Sequence, residues 1–383
     1  MTEDRLNPIL KRPTQARIDL GALERNFKNI QSFVGSSLVM PIVKANAYGH
    51  GMSTCARHLE ASGAKYFGVA YLEEGIELRN AGVKAPILVL GGLLTGQIQQ
   101  YLEFGIDITA SSIDKLTAVD EAAKSLGKRA RVHLKIDTGM ERIGTHYYTA
   151  EKLLAHSLTC KHTDVVGVFS HLAKAEDTDT SLSKLQLERF LEVVSFYEKR
   201  SLSMPLRHIS CSGSILQMPE CNLDLVRPGA ALYGVSPAEH LDSKIALEPV
   251  LSLVTKVVYF KVVKKGAGVS YGHTWHAPTD TRVVTLPIGY GDGFSTSFSN
   301  NAEVLIRGKR YPVVGRVCMD QLMVNLGPDG VAYNADEVVM LGAQDGERIT
   351  ARELSARIGS ANPRELLVML NSRIPRVYEG GNG

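Results

Sequence analysis

The first two-thirds of the chain repeats one alternation: a short apolar run, then a stretch whose apolar residues recur at helical spacing. Runs anchored at Leu38, Phe67, Ile87, Ile106, Val132, Val165, Leu206 and Leu225 give eight such units. Between most of them the pattern is amphipathic. Leu23, Phe27, Ile30 and Val34 form one stripe of "ALERNFKNIQSFV", and "SLSKLQLERFLEVVSFYEKR" is a long helix of the same kind. Apolar strands alternating with helices build a parallel sheet. Eight units predict a closed (β/α)8 barrel of the TIM type.

The pattern changes after "HLDSKIALEP". From Val250 onward, runs such as "VLSLVTKVVYFKVV", "TRVVTLPIGYG" and "DEVVMLG" carry β-branched residues between Gly and Asp turns. The fold class is therefore α/β: an N-terminal (β/α)8 barrel over residues 15–240, then a mainly β C-terminal domain over residues 241–383. A chain of 383 residues is long enough for two cores. With Lys+Arg 43 against Asp+Glu 40 and no basic run, nucleic acid is not a favoured partner. The opening "MTEDRLNPILKRPTQ" lacks the apolar centre of a signal peptide, and no run reaches the roughly 18 apolar residues of a membrane span. Five scattered cysteines without CxxC spacing argue against a disulfide framework or a metal site, and for a reducing cytoplasm.

Barrel enzymes work at the C-terminal ends of their strands. There the sequence places Lys44, then Lys135, Asp137 and Arg142, then His171, His208 with Ser212, and Arg227. Singly, each has an ordinary explanation: a snorkelling lysine, a satisfied core histidine, a turn cap, a structural ion pair. Together they converge on one mouth. Lys135 shares a strand face with His133 and Asp137, and an unpaired ammonium inside a barrel is costly; it needs Asp137 or chemical modification. "SCSGS" and "RPGAALYG" follow the last two strands, where barrels often hold phosphate, and small residues free backbone N–H groups for an anion. A phosphate cradle beside a strand-end lysine points to pyridoxal 5'-phosphate, which carries both a phosphate and an amine-seeking aldehyde.

The segments "VKANAYGHG", "KIDTGMERIG", "SHLAKAED", "RPGAALYG", "VSYG", "PIGYGDG" and "GRVCMDQLMV" stand in an order that resembles bacterial alanine racemases, from about Ala16 to Tyr378. The resemblance implies a pyridoxal-phosphate barrel, a homodimer with shared active sites, and interconversion of L- and D-alanine to supply D-alanine for peptidoglycan. It also implies that residues 1–14 pack with the β domain. By the same resemblance Lys44 would be the Schiff-base lysine and one catalytic base, and Tyr271, from the partner subunit, the other. Racemisation removes a proton from one face of the α-carbon and returns one to the opposite face, so two bases are physically sensible. Tyr48, His171, His208, Ser212, Arg227, Gly229 and Ala230 would bind the cofactor, with Arg227 at its pyridine nitrogen. Arg142, Met319, Asp320 and Tyr290 would form the substrate side. Lys135 matches a lysine often carbamylated in the family. Cys211 stands where members often have asparagine, and Ser372 where some have a tyrosine that closes the phosphate site.

Three other readings keep the lysine but change the chemistry. A barrel-type basic-amino-acid decarboxylase would use a cysteine-centred acid at the second face, where this chain has "VSYG". A pyridoxal-phosphate carrier would resemble the barrel alone, without Tyr271 and "CMD". A soluble barrel with a structural lysine is the plainest alternative.

Overall fold

The computed structural model describes residues 12–360 and 362–381. The chain forms two compact units, one of residues 22–248, the other of residues up to 21 together with those from 249 onward. The divisions thus fall later than the sequence boundaries after residues 14 and 240. The reason is the strand Gln15–Asp19. It pairs antiparallel with Leu251–Lys256 and parallel with Arg376–Glu379, so it is part of the β unit's sheet. Its alternation of buried and half-buried residues, with Ala16 and Ile18 fully enclosed, is that of a sheet strand with one face in a core.

Residues 22–248 close an eight-stranded parallel barrel. Leu225–Val226 pairs with Leu38–Val39, and Ile42 bridges to Gly68 beside the strand Phe67–Val69. Phe67–Val69 pairs with Ile87–Val89, and Leu88 bridges to Asp107 just before Ile108–Ala110. Ile108–Ala110, Ala130–Asp137, Thr163–Phe169 and Leu206–His208 then pair in turn. The last gap is closed by Asp224 N–H donating to Arg207 O and Arg227 N–H to Ser210 O. All eight predicted strands are present; the fourth begins two residues after its anchor at Ile106.

In the β unit a sheet runs in the order Tyr259–Val263, Thr281–Leu286, Leu322–Gly327, Lys309–Val314, Glu303–Ile306, Glu337–Gln344, Leu251–Lys256, Gln15–Asp19, Arg376–Glu379. Alternate residues of Leu322–Gly327 are buried, as the pleat requires. Arg12 bonds the carboxylate of Asp292 through both terminal nitrogens, at 2.7 and 2.6 Å, and Thr14 bonds Thr255 and the Pro287 carbonyl. Residues 1–11, for which packing with the β domain is expected, lie outside the described residues. The helix Pro363–Met369 and the strand Arg376–Glu379 went unread in the sequence. Asn362 as cap followed by Pro363 at the first helical position was the available signal. Among the described residues, no helix is long and apolar enough to cross a membrane.

Candidate active site

Lys44 comes after the first barrel strand, two residues past the bridge at Ile42. The next four residues, Ala45, Asn46, Ala47 and Tyr48, all take positive φ between 52° and 54°. A left-handed run of non-glycine residues costs roughly 1–2 kcal/mol per residue, so the surrounding chain must hold it. Ala47 N–H bonds Val43 O at 2.8 Å and Gly49 N–H bonds Ala45 O at 3.0 Å, with Gly49 continuing at φ 86°. The Asn46 side chain accepts from Met52 N–H at 2.8 Å. Glu74 clamps the turn from the next unit: its carboxylate accepts from Ala45 N–H at 2.6 Å, Ala70 N–H at 2.7 Å and Tyr71 N–H at 3.2 Å. Glu74 was read from the sequence only as part of a helix. Its place in the first turn of a helix that follows a barrel strand was the signal missed.

Arg227 is buried just after the eighth strand, which pairs with the first. Its terminal nitrogens donate to His208 Nδ1 at 2.7 Å, Ser170 O at 2.7 Å, Ile209 O at 3.1 Å and His171 Nδ1 at 3.2 Å. None of these acceptors is a carboxylate. Burial lowers the guanidinium pKa to about 10, which leaves it charged at neutral pH. Burial, then the charge of Arg227, holds His208 and His171 well below the usual imidazole value. On His171, Lys135, Arg142 and Lys44 act in the same direction, so four basic side chains bear on one half-buried imidazole.

Lys135 lies over the ring of Phe169, with its nitrogen 4.6 Å from the centroid. Burial and the neighbouring Arg227 depress its pKa far below that of a free lysine, favouring the neutral amine. Asp137, the partner foreseen for it, is engaged elsewhere. Its carboxylate accepts from the N–H groups of Gly139 at 2.8 Å, Met140 at 2.9 Å and Arg142 at 3.1 Å, shaping the loop that carries Arg142.

The small-residue loops form a cradle. Ser212 Oγ accepts from Gly229 N–H at 2.9 Å and Ala231 N–H at 3.2 Å, tying the loops after strands seven and eight together beside Ala230. A Cβ on Gly229 would meet Tyr48 Oη at 2.4 Å, and one on Gly213 would meet Ala175 O at 2.3 Å. Tyr48, Ser212 and Gly229 therefore converge. A mouth lined by basic side chains, beside a close-walled cradle of hydroxyl and glycine, fits a group with an anionic phosphate and an amine-reactive end.

A second cluster stands on the β unit. Tyr271 follows the short strand Gly268–Val269 and is 72% exposed. Ser270, at φ 65°, fixes the turn before it by donating its hydroxyl to Arg316 O at 2.6 Å and contacting Cys318 Sγ at 3.4 Å. Tyr290 N–H bonds Cys318 O at 3.0 Å and Gly291 N–H bonds Met319 O at 2.9 Å, so these two loops lie back to back. Gly289 permits this, since a Cβ there would lie 2.1 Å from Cys318 O. Met319 and Tyr290 are exposed, and Asp320 accepts from Arg373 at 2.5 Å. Ser372 is exposed in the turn before that arginine. The predicted site positions thus fall into two local clusters, Tyr271, Tyr290, Met319 and Asp320 on the β unit and the remainder on the barrel.

Comparison with known proteins agrees along the whole length. The family model for the alanine racemase N-terminal domain matches residues 18–237, and that for the C-terminal domain matches residues 250–378. An alanine racemase of Carboxydothermus hydrogenoformans is 41% identical over 368 residues, 96% of this chain and 100% of that one. The crystal structure of alanine racemase from Streptomyces lavendulae superposes with a TM-score of 0.91 at 35% identity, covering 97% of this chain and 98% of that one. The Bartonella henselae enzyme, solved with covalently bound pyridoxal phosphate, gives 0.87 at 26% identity over 96% of this chain and 100% of that one. The chain belongs to the alanine racemase family, whose members are pyridoxal-phosphate-dependent isomerases.

Proposed function

We propose that this protein interconverts L- and D-alanine with pyridoxal 5'-phosphate held in the barrel mouth. The observation that carries the reading is the gathering of Lys44, Lys135, Arg142 and Arg227 around His171, beside the cradle of Tyr48, Ser212 and Gly229. Lys44 would carry the cofactor covalently. Tyr48, Ser212 and the backbone at Gly229 and Ala230 would hold its phosphate, and Arg227, braced by His208 and His171, would face its ring nitrogen. When bound, the cofactor withdraws electrons from the amino acid's α-carbon and makes its proton labile.

This chain's residues then hold and move that proton. Lys44 Nζ serves one face of the α-carbon. Tyr271 Oη, contributed by a second copy in a homodimer, serves the other. The exposure of Tyr271 on a braced turn supports its presentation to a partner. Arg227 donates hydrogen bonds but keeps its own proton, which limits electron flow into the ring and favours return of the α-proton over side reactions. Arg142 and the backbone at Met319 would hold the substrate carboxylate, with Asp320 and Tyr290 near the entrance. Lys135, whose pKa is lowered by burial and by Arg227, is suited to carbamylation by carbon dioxide, and the carbamate would orient Arg142.

The barrel unit would thus bind the cofactor and the β unit supply the second base. Five free thiols fit a cytoplasmic enzyme supplying D-alanine for peptidoglycan. The test is a panel of L-amino acids incubated with the purified protein and read by chiral chromatography. D-alanine is expected from the wild type and none from Lys44→Ala; wild-type turnover in Lys44→Ala would overturn the reading.

A further inference from the structure

A continuous column of polar side chains runs inside the barrel from Arg227 away from the mouth. Arg227 Nη1 bonds His208 Nδ1 at 2.7 Å, His208 Nε2 bonds His133 Nδ1 at 2.9 Å, and His133 Nε2 bonds Tyr66 Oη at 2.8 Å. The Tyr66 hydroxyl bonds Asp107 Oδ2, and Arg131 meets the same carboxylate at 2.9 and 3.1 Å. His208, His133, Tyr66 and Asp107 are all buried, while Arg131 is 46% exposed at the far end. Barrel interiors are ordinarily filled by branched apolar residues, and buried polar groups are costly unless every one is satisfied.

The two ends independently set one direction. A guanidinium only donates, so His208 Nδ1 must accept, His208 Nε2 must carry the proton, and His133 Nδ1 must accept in turn. From the other end, the ionised Asp107 only accepts, so Tyr66 donates to it and its oxygen receives the His133 Nε2 proton. The arginine end makes His133 and His208 neutral with the proton on Nε2, and the carboxylate end requires the same proton on His133 Nε2. Burial would raise the Asp107 carboxyl, but the nearby His133 and the bonds from Arg131 and Tyr66 hold it below the usual range, in keeping with an ionised end. The barrel also makes room for the central contact: Gly167 faces His133 in register, and a Cβ there would lie 2.2 Å from His133 Nδ1.

We propose that Asp107, Tyr66 and His133 are positioning residues that, through His208, fix the orientation of the Arg227 guanidinium and so aim its remaining N–H groups. The proposal rests on the reading that Arg227 faces the cofactor ring. The remote carboxylate orders the column without sitting against the arginine, so Arg227 keeps its full charge at the mouth.

The test pairs histidine-selective 15N NMR with kinetics on the holoenzyme. In the wild type, with and without cofactor, His133 and His208 are expected as neutral Nε2–H tautomers at neutral pH. Finding either protonated, or with its proton on Nδ1, would overturn the proposal. In Tyr66→Phe the hydroxyl link is lost, and His133 Nε2, already 3.7 Å from Asp107, is free to pair with it directly. His133 would then gain a second proton, and the His133–His208 bond would reverse and set a donor against Arg227. The expected result is a changed His208 signal and kcat lower by about tenfold or more with KM within about threefold. Wild-type His208 signals together with wild-type kcat in Tyr66→Phe would also overturn it. Should that variant fail to fold, the wild-type spectra decide. Those spectra are taken without substrate, so failure to racemise alanine would remove the functional reading and leave the tautomer result standing.

Discussion

The hydroxyl of Tyr48 occupies the place where residue 229 would carry a side chain: a Cβ on Gly229 would stand 2.4 Å from Tyr48 Oη. The space at residue 229 is therefore already filled by that hydroxyl. Gly229→Ala must push Tyr48 off the cradle or shift the loop that bonds Ser212. Overpacking of this kind costs about 1–3 kcal/mol. The expected outcome is a pyridoxal-phosphate Kd raised at least about tenfold, measured by titrating apoprotein, with a melting temperature lowered by a few degrees. An unchanged Kd would place the phosphate elsewhere.

Lys135 has no carboxylate partner among the described residues, since Asp137 is turned to its own loop. Burial and Arg227 lower its pKa, which favours the neutral amine, the form that attacks carbon dioxide. Protein exchanged into 13C-bicarbonate is expected to show a carbamate carbon signal that is missing from Lys135→Ala. Activity should fall when carbon dioxide is removed and return when bicarbonate is added. A wild type without the signal, and indifferent to bicarbonate, would leave Lys135 a neutral amine.

Much of this was legible in the sequence because barrels write their strands as short apolar runs and place chemistry at the ends. Lys44, His171, His208, Ser212 and Arg227 could each be assigned to a strand end by counting. What escaped depends on contacts across distance. Gln15–Asp19 has an ordinary strand pattern, and nothing local reveals that its partners are Leu251–Lys256 and Arg376–Glu379. Strand alternation put Lys135 and Asp137 on one face, but not that Asp137 would be taken by three backbone N–H groups. Glu74 looked like a helix residue because its task, holding a left-handed turn 29 positions earlier in the fold's first loop, belongs to packing rather than to pattern.

Two buried imidazoles and one half-buried one make stability depend on pH. Burial lowers the pKa values of His133, His171 and His208 in the folded chain, below the unfolded value of about 6.5. The sign follows from linkage: below about pH 6.5 the unfolded chain takes up protons that the folded chain refuses, so stability falls as pH drops. Each histidine contributes at most about 1.4 kcal/mol per pH unit in that window. Above about pH 7.5 their contribution is constant. Thermal melting of the cofactor-free protein between pH 8 and 5 is expected to show a plateau and then a decline beginning near 6.5. A midpoint that stays level from pH 7 to 5.5 would mean the histidines are charged in the folded state.

Tyr271 separates the two-base reading from any scheme with one base. Its hydroxyl is exposed, and the turn beneath it is fixed by Ser270, Arg316 and Cys318 rather than by Tyr271 itself. Tyr271→Phe should therefore fold normally and retain bound pyridoxal phosphate with its visible absorption. Loss of a general base lowers kcat by about 100- to 10,000-fold. Lys44 still serves its own face, so the two halves of the reaction should part company. In deuterated water one alanine enantiomer is expected to exchange its α-hydrogen at a rate far closer to wild type than the other, while net conversion in both directions collapses. Mixing Tyr271→Phe with Lys44→Ala tests the shared site: if each mouth draws its tyrosine from the partner, a mixed dimer regains one intact site and up to half the activity per site. Equal exchange of both enantiomers in Tyr271→Phe would remove Tyr271 as a base.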